Sequence, residues 1–151
     1  GIVMENNIVY NTKTGGFHQH YGKENIVRNN ILAYGLLHQL QRTRPEEHTS
    51  FIFERNVIYF DQGALLDGNW SDDDHFRMDY NTYFQVEGEP FSFAGAGLED
   101  WRKRGHDVHS IIADPRFVNA AKFDFSMRTE WPALDLGLVP IDGSAGGRRA
   151  R

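Results

Sequence analysis

Asn25-Ile26-Val27-Arg28-Asn29-Asn30-Ile31-Leu32 decides the fold, because the chain writes versions of it four times. The others are Ile2-Val3-Met4-Glu5-Asn6-Asn7-Ile8-Val9, Phe51-Ile52-Phe53-Glu54-Arg55-Asn56-Val57-Ile58 and Phe76-Arg77-Met78-Asp79-Tyr80-Asn81-Thr82-Tyr83. The shared asparagines Asn7, Asn30, Asn56 and Asn81 recur at intervals of 23, 26 and 25 residues. Three positions earlier stands an apolar residue: Met4, Val27, Phe53 or Met78. Two positions earlier stands a charge, and one position later a β-branched residue. A repeat of this length is a unit that cannot bury its own apolar face, and so it stacks. The unit is two short strands meeting at an asparagine corner, without helical spacing.

The remainder of each repeat supplies a third strand. Gly16-Phe17-His18-Gln19-His20-Tyr21 and Gly35-Leu36-Leu37-His38 are glycine-led versions of it, and Gly63-Ala64-Leu65-Leu66-Asp67 is the third. Three strands and three turns per coil are what a right-handed parallel β-helix requires, each strand bonding its counterpart one coil away. The corner asparagine suits this geometry, since it tolerates left-handed backbone angles and its amide can bond the next amide in a ladder. Glu5, Arg28 and Glu54 fall at one register with alternating charge, which predicts a structural ladder. In the second coil, Gln39 to His48 is expected to leave the stack as a polar excursion carrying Pro45.

The expected fold is all-β: about four coils over residues 1–89, then an irregular C-terminal cap over 90–142. Leu98-Glu99-Asp100-Trp101-Arg102-Lys103-Arg104-Gly105 reads as a short helix in that cap, with Gly105 as its C-terminal stop. Residues 143–151 read as a flexible tail. Gly1-Ile2-Val3 reads as an excised start. The first coil then has an open edge and an open apolar end, which predicts a homodimer meeting through its first coils.

Composition narrows the partners. With 151 residues and 40% hydrophobic content the chain can build a core. Its net charge of −5 argues against general attraction to nucleic acid or an anionic membrane, despite Arg148, Arg149 and Arg151. No apolar run is long enough to span a bilayer. The absence of cysteine excludes disulfides, thiol catalysis and zinc–thiolate sites.

The Asn-Asn-Ile repeats, His20-Tyr21-Gly22-Lys23-Glu24-Asn25 and Phe51-Ile52-Phe53-Glu54-Arg55-Asn56 resemble right-handed parallel β-helix proteins of the pectate-lyase-like superfamily. Asp114-Pro115-Arg116-Phe117-Val118, Asp124-Phe125, Trp131-Pro132-Ala133 and Ile141-Asp142 are similar to the closing motif of bacterial β-helix enzymes that degrade polysaccharides. The resemblance implies a carbohydrate-active protein, most readily a glycoside hydrolase, secreted or periplasmic. It implies a polysaccharide or oligosaccharide lying in an outer groove. The alternatives are a non-catalytic carbohydrate-binding or structural fragment of a larger enzyme, and a polysaccharide lyase using Arg42 or Arg44 as base.

Hydrolysis needs two carboxylates flanking the scissile bond. Glu46 and Asp67 form the candidate pair, with Glu47 and Asp72 as substitutes and His20 as a proton-transfer group. Arg42 and Arg44, on one face if the excursion is extended, would fork onto uronate carboxylates. His18 and His48 join them as substrate-binding candidates. Trp70 would stack on a sugar ring. The run Asp72-Asp73-Asp74 offers oxygen ligands for calcium but lacks the glycine-spaced alternation of a calcium loop. No metal site and no cofactor is therefore expected, calcium being the one candidate.

Overall fold

The computed structural model describes residues 1–128 and 130–146. Each repeat forms two strands about its asparagine: β1 (Val3–Glu5) and β2 (Ile8–Tyr10), β4 (Asn25–Arg28) and β5 (Ile31–Ala33). The next two repeats give β7 (Phe51–Glu54) and β8 (Val57–Phe60), then β10 (Arg77–Asp79) and β11 (Thr82–Gln85). The third strands are β3 (Phe17–Gln19), β6 (His38–Arg42) and β9 (Ala64–Gly68). Like strands pair in parallel, in the orders β1-β4-β7-β10 and β3-β6-β9. The fold is the expected parallel β-helix. A fifth rung extends the remaining sheet, β2-β5-β8-β11, through β12 (Ile111–Ile112), with Ile8, Ile31, Val57, Thr82 and Ile111 in one register. The fifth rung carries Ser110 where the asparagine would be, so the repeat is written only four times in the sequence.

The asparagines stack as the repeat predicts. Asn7 Nδ2 donates to Asn30 Oδ1 at 2.9 Å, Asn30 Nδ2 to Asn56 Oδ1 at 3.0 Å, and Asn56 Nδ2 to Asn81 Oδ1 at 3.4 Å. The backbone N–H of Asn7, Asn30 and Asn56 also donates to the next asparagine's Oδ1. At the last rung the Asn81 N–H donates to Ser110 Oγ, and Asn81 Nδ2 to Asp107 Oδ1. The left-handed backbone belongs to the residue before each rung: Asn6, Asn29, Arg55 and Tyr80 have φ of 59°, 52°, 54° and 56°. Two of these are not turn-favouring residues. The ladder's hydrogen bonds and stacking hold them in a conformation that costs about 1–2 kcal/mol per residue. Of the expected charge ladder, Arg28–Glu5 forms at 2.7 Å, whereas Glu54 pairs with its neighbour Arg55.

Inside the coils, Val27, Phe53 and Met78 stack with Leu32, Ile58, Tyr83 and Leu40, all buried. The C-terminal segment expected as one cap does two jobs. Residues 91–107, including α1 (Leu98–Lys103), cover the last coil with Phe93 and the buried Trp101. The antiparallel pair β13 (Phe117–Asn119) and β14 (Asp124–Met127), with α2 (Pro132–Asp135), instead covers the outer face of the β2-β5-β8-β11 sheet. There Phe125, Trp131, Ala133 and Leu138 pack on Ile31, Ala33, Val57 and Tyr59. The Asn29 side chain clasps both the N–H and the C=O of Val139, fixing the end of that segment. The tail expected to be flexible begins with a 3-10 turn, Gly143–Ala145, while residues 147–151 lie outside the described residues.

Candidate functional site

With the β2-β5-β8-β11 face covered, the outer face of β3-β6-β9 is a polar strand surface carrying His18, His20 and Asp67 among the candidate residues. Its registers place His18 opposite Gln41 and Gln41 opposite Asp67. One alternation further on, His20, Thr43 and Asn69 follow, while Gln19 and Arg42 between the two rows turn inward and are buried. Gln41 Nε2 donates to Asp67 Oδ2 at 2.8 Å, and Asn69 Nδ2 to the Thr43 carbonyl at 3.2 Å. Gly68 is required where it stands: at φ +91° a Cβ would lie 2.2 Å from the Arg42 carbonyl oxygen.

Thr43 joins the two histidines. Its hydroxyl donates to the Gln19 carbonyl at 3.2 Å, so it accepts from His18 Nε2 at 2.9 Å and from His20 Nδ1 at 3.0 Å. The edge of the His20 ring meets Tyr21, which is 58% exposed, and the Arg44 guanidinium lies over the Tyr21 ring at 5.6 Å. His18, His20, Tyr21, Thr43 and Arg44 therefore form one exposed cluster.

The expected carboxylate pair is not assembled. Glu46 Oε2 accepts from the Gly22 N–H at 3.1 Å and lies 3.5 Å from His48 Nε2, which itself contacts the Gly22 carbonyl. These two residues clasp the excursion to the first coil. Asp67, whose side chain is 49% exposed, contacts Gln41 and lies 3.8 Å from His38 Nδ1, so it shares no partner with Glu46. Glu47 and Asp72 are exposed.

Two binding candidates are displaced inward. Arg42 belongs to strand β6, not to the excursion, which begins at Thr43; the stacking of Leu40 on Phe17 and Leu66 holds the strand in register. Alternation then sends Arg42 inside, 0% exposed, while Arg44 points out, so the two share no face. Arg42 donates to Asp73 at 2.8 and 3.2 Å and to the Asn69 carbonyl, with its guanidinium over Phe76 at 4.8 Å. Trp70 is 1% exposed, packed edge-on against Phe51 and Phe76, with its indole N–H bonded to the Asp67 carbonyl. It has no face to offer a sugar. A tryptophan beside a polar run reads as a surface platform; its burial follows from aromatic partners on two coils, Phe51 and Phe76, and Trp101 in the cap.

The acidic run has its own partners. Burial pushes the Asp73 carboxyl up, but the Arg42 guanidinium and the His75 N–H outweigh it and hold the group below its usual range. Burial opposes Asp74 likewise, and His106 and Arg104 hold it down. Burial raises Asp107 despite donors from Ser110, Asn81, Trp101 and Tyr83, and this group closes the asparagine ladder. Elsewhere, an open groove of about 980 Å³ runs between the first coil and the C-terminal segment, lined by Tyr10, Phe123, Asp124 and Asp142 among others. Ser126 and Ser144 bond those two carboxylates and keep both below their usual range. Thr43, Gln41, Asn69 and Tyr21 were missed in the sequence because each is unremarkable alone; only the strand register collects them.

Comparison with protein-family models, with curated proteins and with solved structures finds no match to this chain.

Proposed function

We propose that this chain is a carbohydrate-binding β-helix protein that grips a polysaccharide along the outer face of β3-β6-β9. One observation carries the reading: two outward rows, His18–Gln41–Asp67 and His20–Thr43–Asn69, repeat the same polar face from coil to coil. Neighbouring strands stand about 4.8 Å apart, so the rows present a regular grid to an extended chain. Amides, a hydroxyl and imidazoles both donate and accept, and Asp67 accepts, which matches sugar hydroxyls. Tyr21 supplies the flat aromatic face expected of Trp70, and Arg44 a fork for a uronate carboxylate. The resemblance to polysaccharide-degrading β-helix proteins points to the same ligand class and to an extracellular or periplasmic setting. Hydrolysis is the second reading, favoured by the half-exposed Asp67 carboxylate at the β9 edge of the face.

Affinity electrophoresis through gels containing pectate, alginate, xylan or a neutral glucan tests this. Retardation is expected, strongest with the uronate polymers. The double variant Gln41→Ala/Asp67→Ala loses two hydrogen-bonding groups, about 2 kcal/mol, and binding weakens roughly thirtyfold. New reducing ends would shift the assignment to hydrolysis, and new ultraviolet absorbance to a lyase. A chain that no polysaccharide retards, in a fold verified by circular dichroism, refutes the reading.

A further inference from the structure

We propose that His18 and His20 form a surface site for a divalent transition-metal ion of the zinc or copper class. The inference does not rest on the glycan reading, because metal binding is measured without sugar. In sequence, His18-Gln19-His20 places two imidazoles two residues apart, and on a strand such residues share a face. The structure bears out the alternation: both histidines are exposed and Gln19 between them is buried.

The carrying observation is convergence. His18 Nε2 and His20 Nδ1 both aim at one point, now occupied by Thr43 Oγ1, from 2.9 and 3.0 Å. The ring centroids are 5.7 Å apart and the ring planes cross at 67°. A metal held by two imidazoles needs two nitrogens aimed at a common point, with bonds of about 2.0–2.1 Å. An imidazole binds a metal through the lone pair of one ring nitrogen while the proton stands on the other. Rotation of the Thr43 side chain vacates the point. The Thr43 N–H donates to the carbonyl of Gln19, the residue between the two ligands, at 3.1 Å, so the backbone that carries them is fixed beforehand.

Ligand chemistry selects the ion. Imidazoles suit zinc, copper and nickel, while calcium and magnesium need oxygen donors, and among the described residues no carboxylate hydrogen-bonds either histidine. Water completes the sphere, since among the described residues no group of three histidine, cysteine or acidic side chains is assembled for a metal. The Arg44 guanidinium is held over the ring of Tyr21, the residue that packs against His20.

Isothermal titration of the untagged chain with zinc chloride at pH 7.5 tests the site, with copper(II) and calcium titrated in parallel. One zinc per chain is expected, with calcium giving no heat of binding. His18→Ala and His20→Ala each weaken zinc binding at least tenfold, while His75→Ala and His109→Ala leave it unchanged. In nitrogen-15 spectra of the folded protein, the His18 and His20 imidazole signals move first on adding zinc. All four variants lie at exposed positions, and their far-ultraviolet dichroism verifies the fold. No binding at millimolar zinc overturns the proposal, as does binding that survives the double variant His18→Ala/His20→Ala.

Discussion

Asn56→Ala removes the middle of the asparagine ladder, at a residue only 1% exposed. The Asn56 Oδ1 accepts from both the backbone N–H and the Nδ2 of Asn30, each at 3.0 Å, and Asn56 Nδ2 donates to the Val27 carbonyl at 2.9 Å and to Asn81 Oδ1. After truncation, Asn30 Nδ2 still has the Met4 and Arg28 carbonyls. The buried Asn30 N–H is left with nothing, a loss of about 1–3 kcal/mol, and the remaining bonds contribute about 1 kcal/mol each. The total is about 4 kcal/mol. Asn7→Ala is the internal control, because Asn7 is exposed and no side chain in the first coil relies on its Oδ1, so it costs about 1 kcal/mol. At this chain length 1 kcal/mol is worth roughly 2–4 °C, so thermal melts followed by circular dichroism should fall on the order of 10 °C for Asn56→Ala and only a few degrees for Asn7→Ala. Equal losses for the two variants, or a loss below about 1 kcal/mol at Asn56, would refute the ladder as the fold's organising element.

Trp70→Ala should cost about 3–5 kcal/mol in urea melts and leave polysaccharide retention of the folded protein intact, whereas Tyr21→Ala should do the reverse. Arg42→Ala strands the Asp73 carboxylate, which is only partly exposed, and should cost about 2–3 kcal/mol in the same melts. The pH profile should show two acid limbs. Burial lowers His106 below its usual 6.5, outweighing the Asp74 carboxylate, so the unfolded chain takes up a proton that the folded one resists. Stability therefore declines as pH falls from 6.5, and His106→Gln should flatten that limb in melts run from pH 8 to 5. Asp73 and Asp74 are held below 3.8, so their contribution is complete above that pH and is lost as pH falls beneath it; Asp73→Asn should blunt only this second limb.

Much of the fold was legible because a coil repeat is periodic. The asparagine and its apolar partner three residues earlier recur in sequence, and their two sheets follow. The glycine-led reading of the third strand misplaced the second coil, where the strand is His38–Arg42 and not Gly35 to His38, because Phe17 and Leu66 stack on Leu40. The fifth rung escaped notice because serine replaced asparagine, though Ser110 Oγ accepts the same ladder bond. The two roles of the C-terminal segment were hidden because both its halves are aromatic, and composition does not say which face an aromatic covers. The site was less legible than the fold. Arg42 and Trp70 look like surface chemistry, and whether such residues face outward depends on a one-residue difference in where β6 ends and the loop begins. Slipping that boundary exchanges inside for outside. Thr43 could be found only through three dimensions, since its partners lie 25 and 23 residues away.

Backbone amide shifts, followed by nuclear magnetic resonance while a uronate oligosaccharide is titrated in, test the glycan face most directly. Perturbations are expected to centre on His18, His20, Tyr21, Gln41, Thr43, Asp67 and Asn69, fading across the β1-β4-β7-β10 sheet. Shifts centred instead on Tyr10, Phe123, Asp124 and Asp142 would move the site to the C-terminal groove and contradict the assignment of function to the outer face of β3-β6-β9.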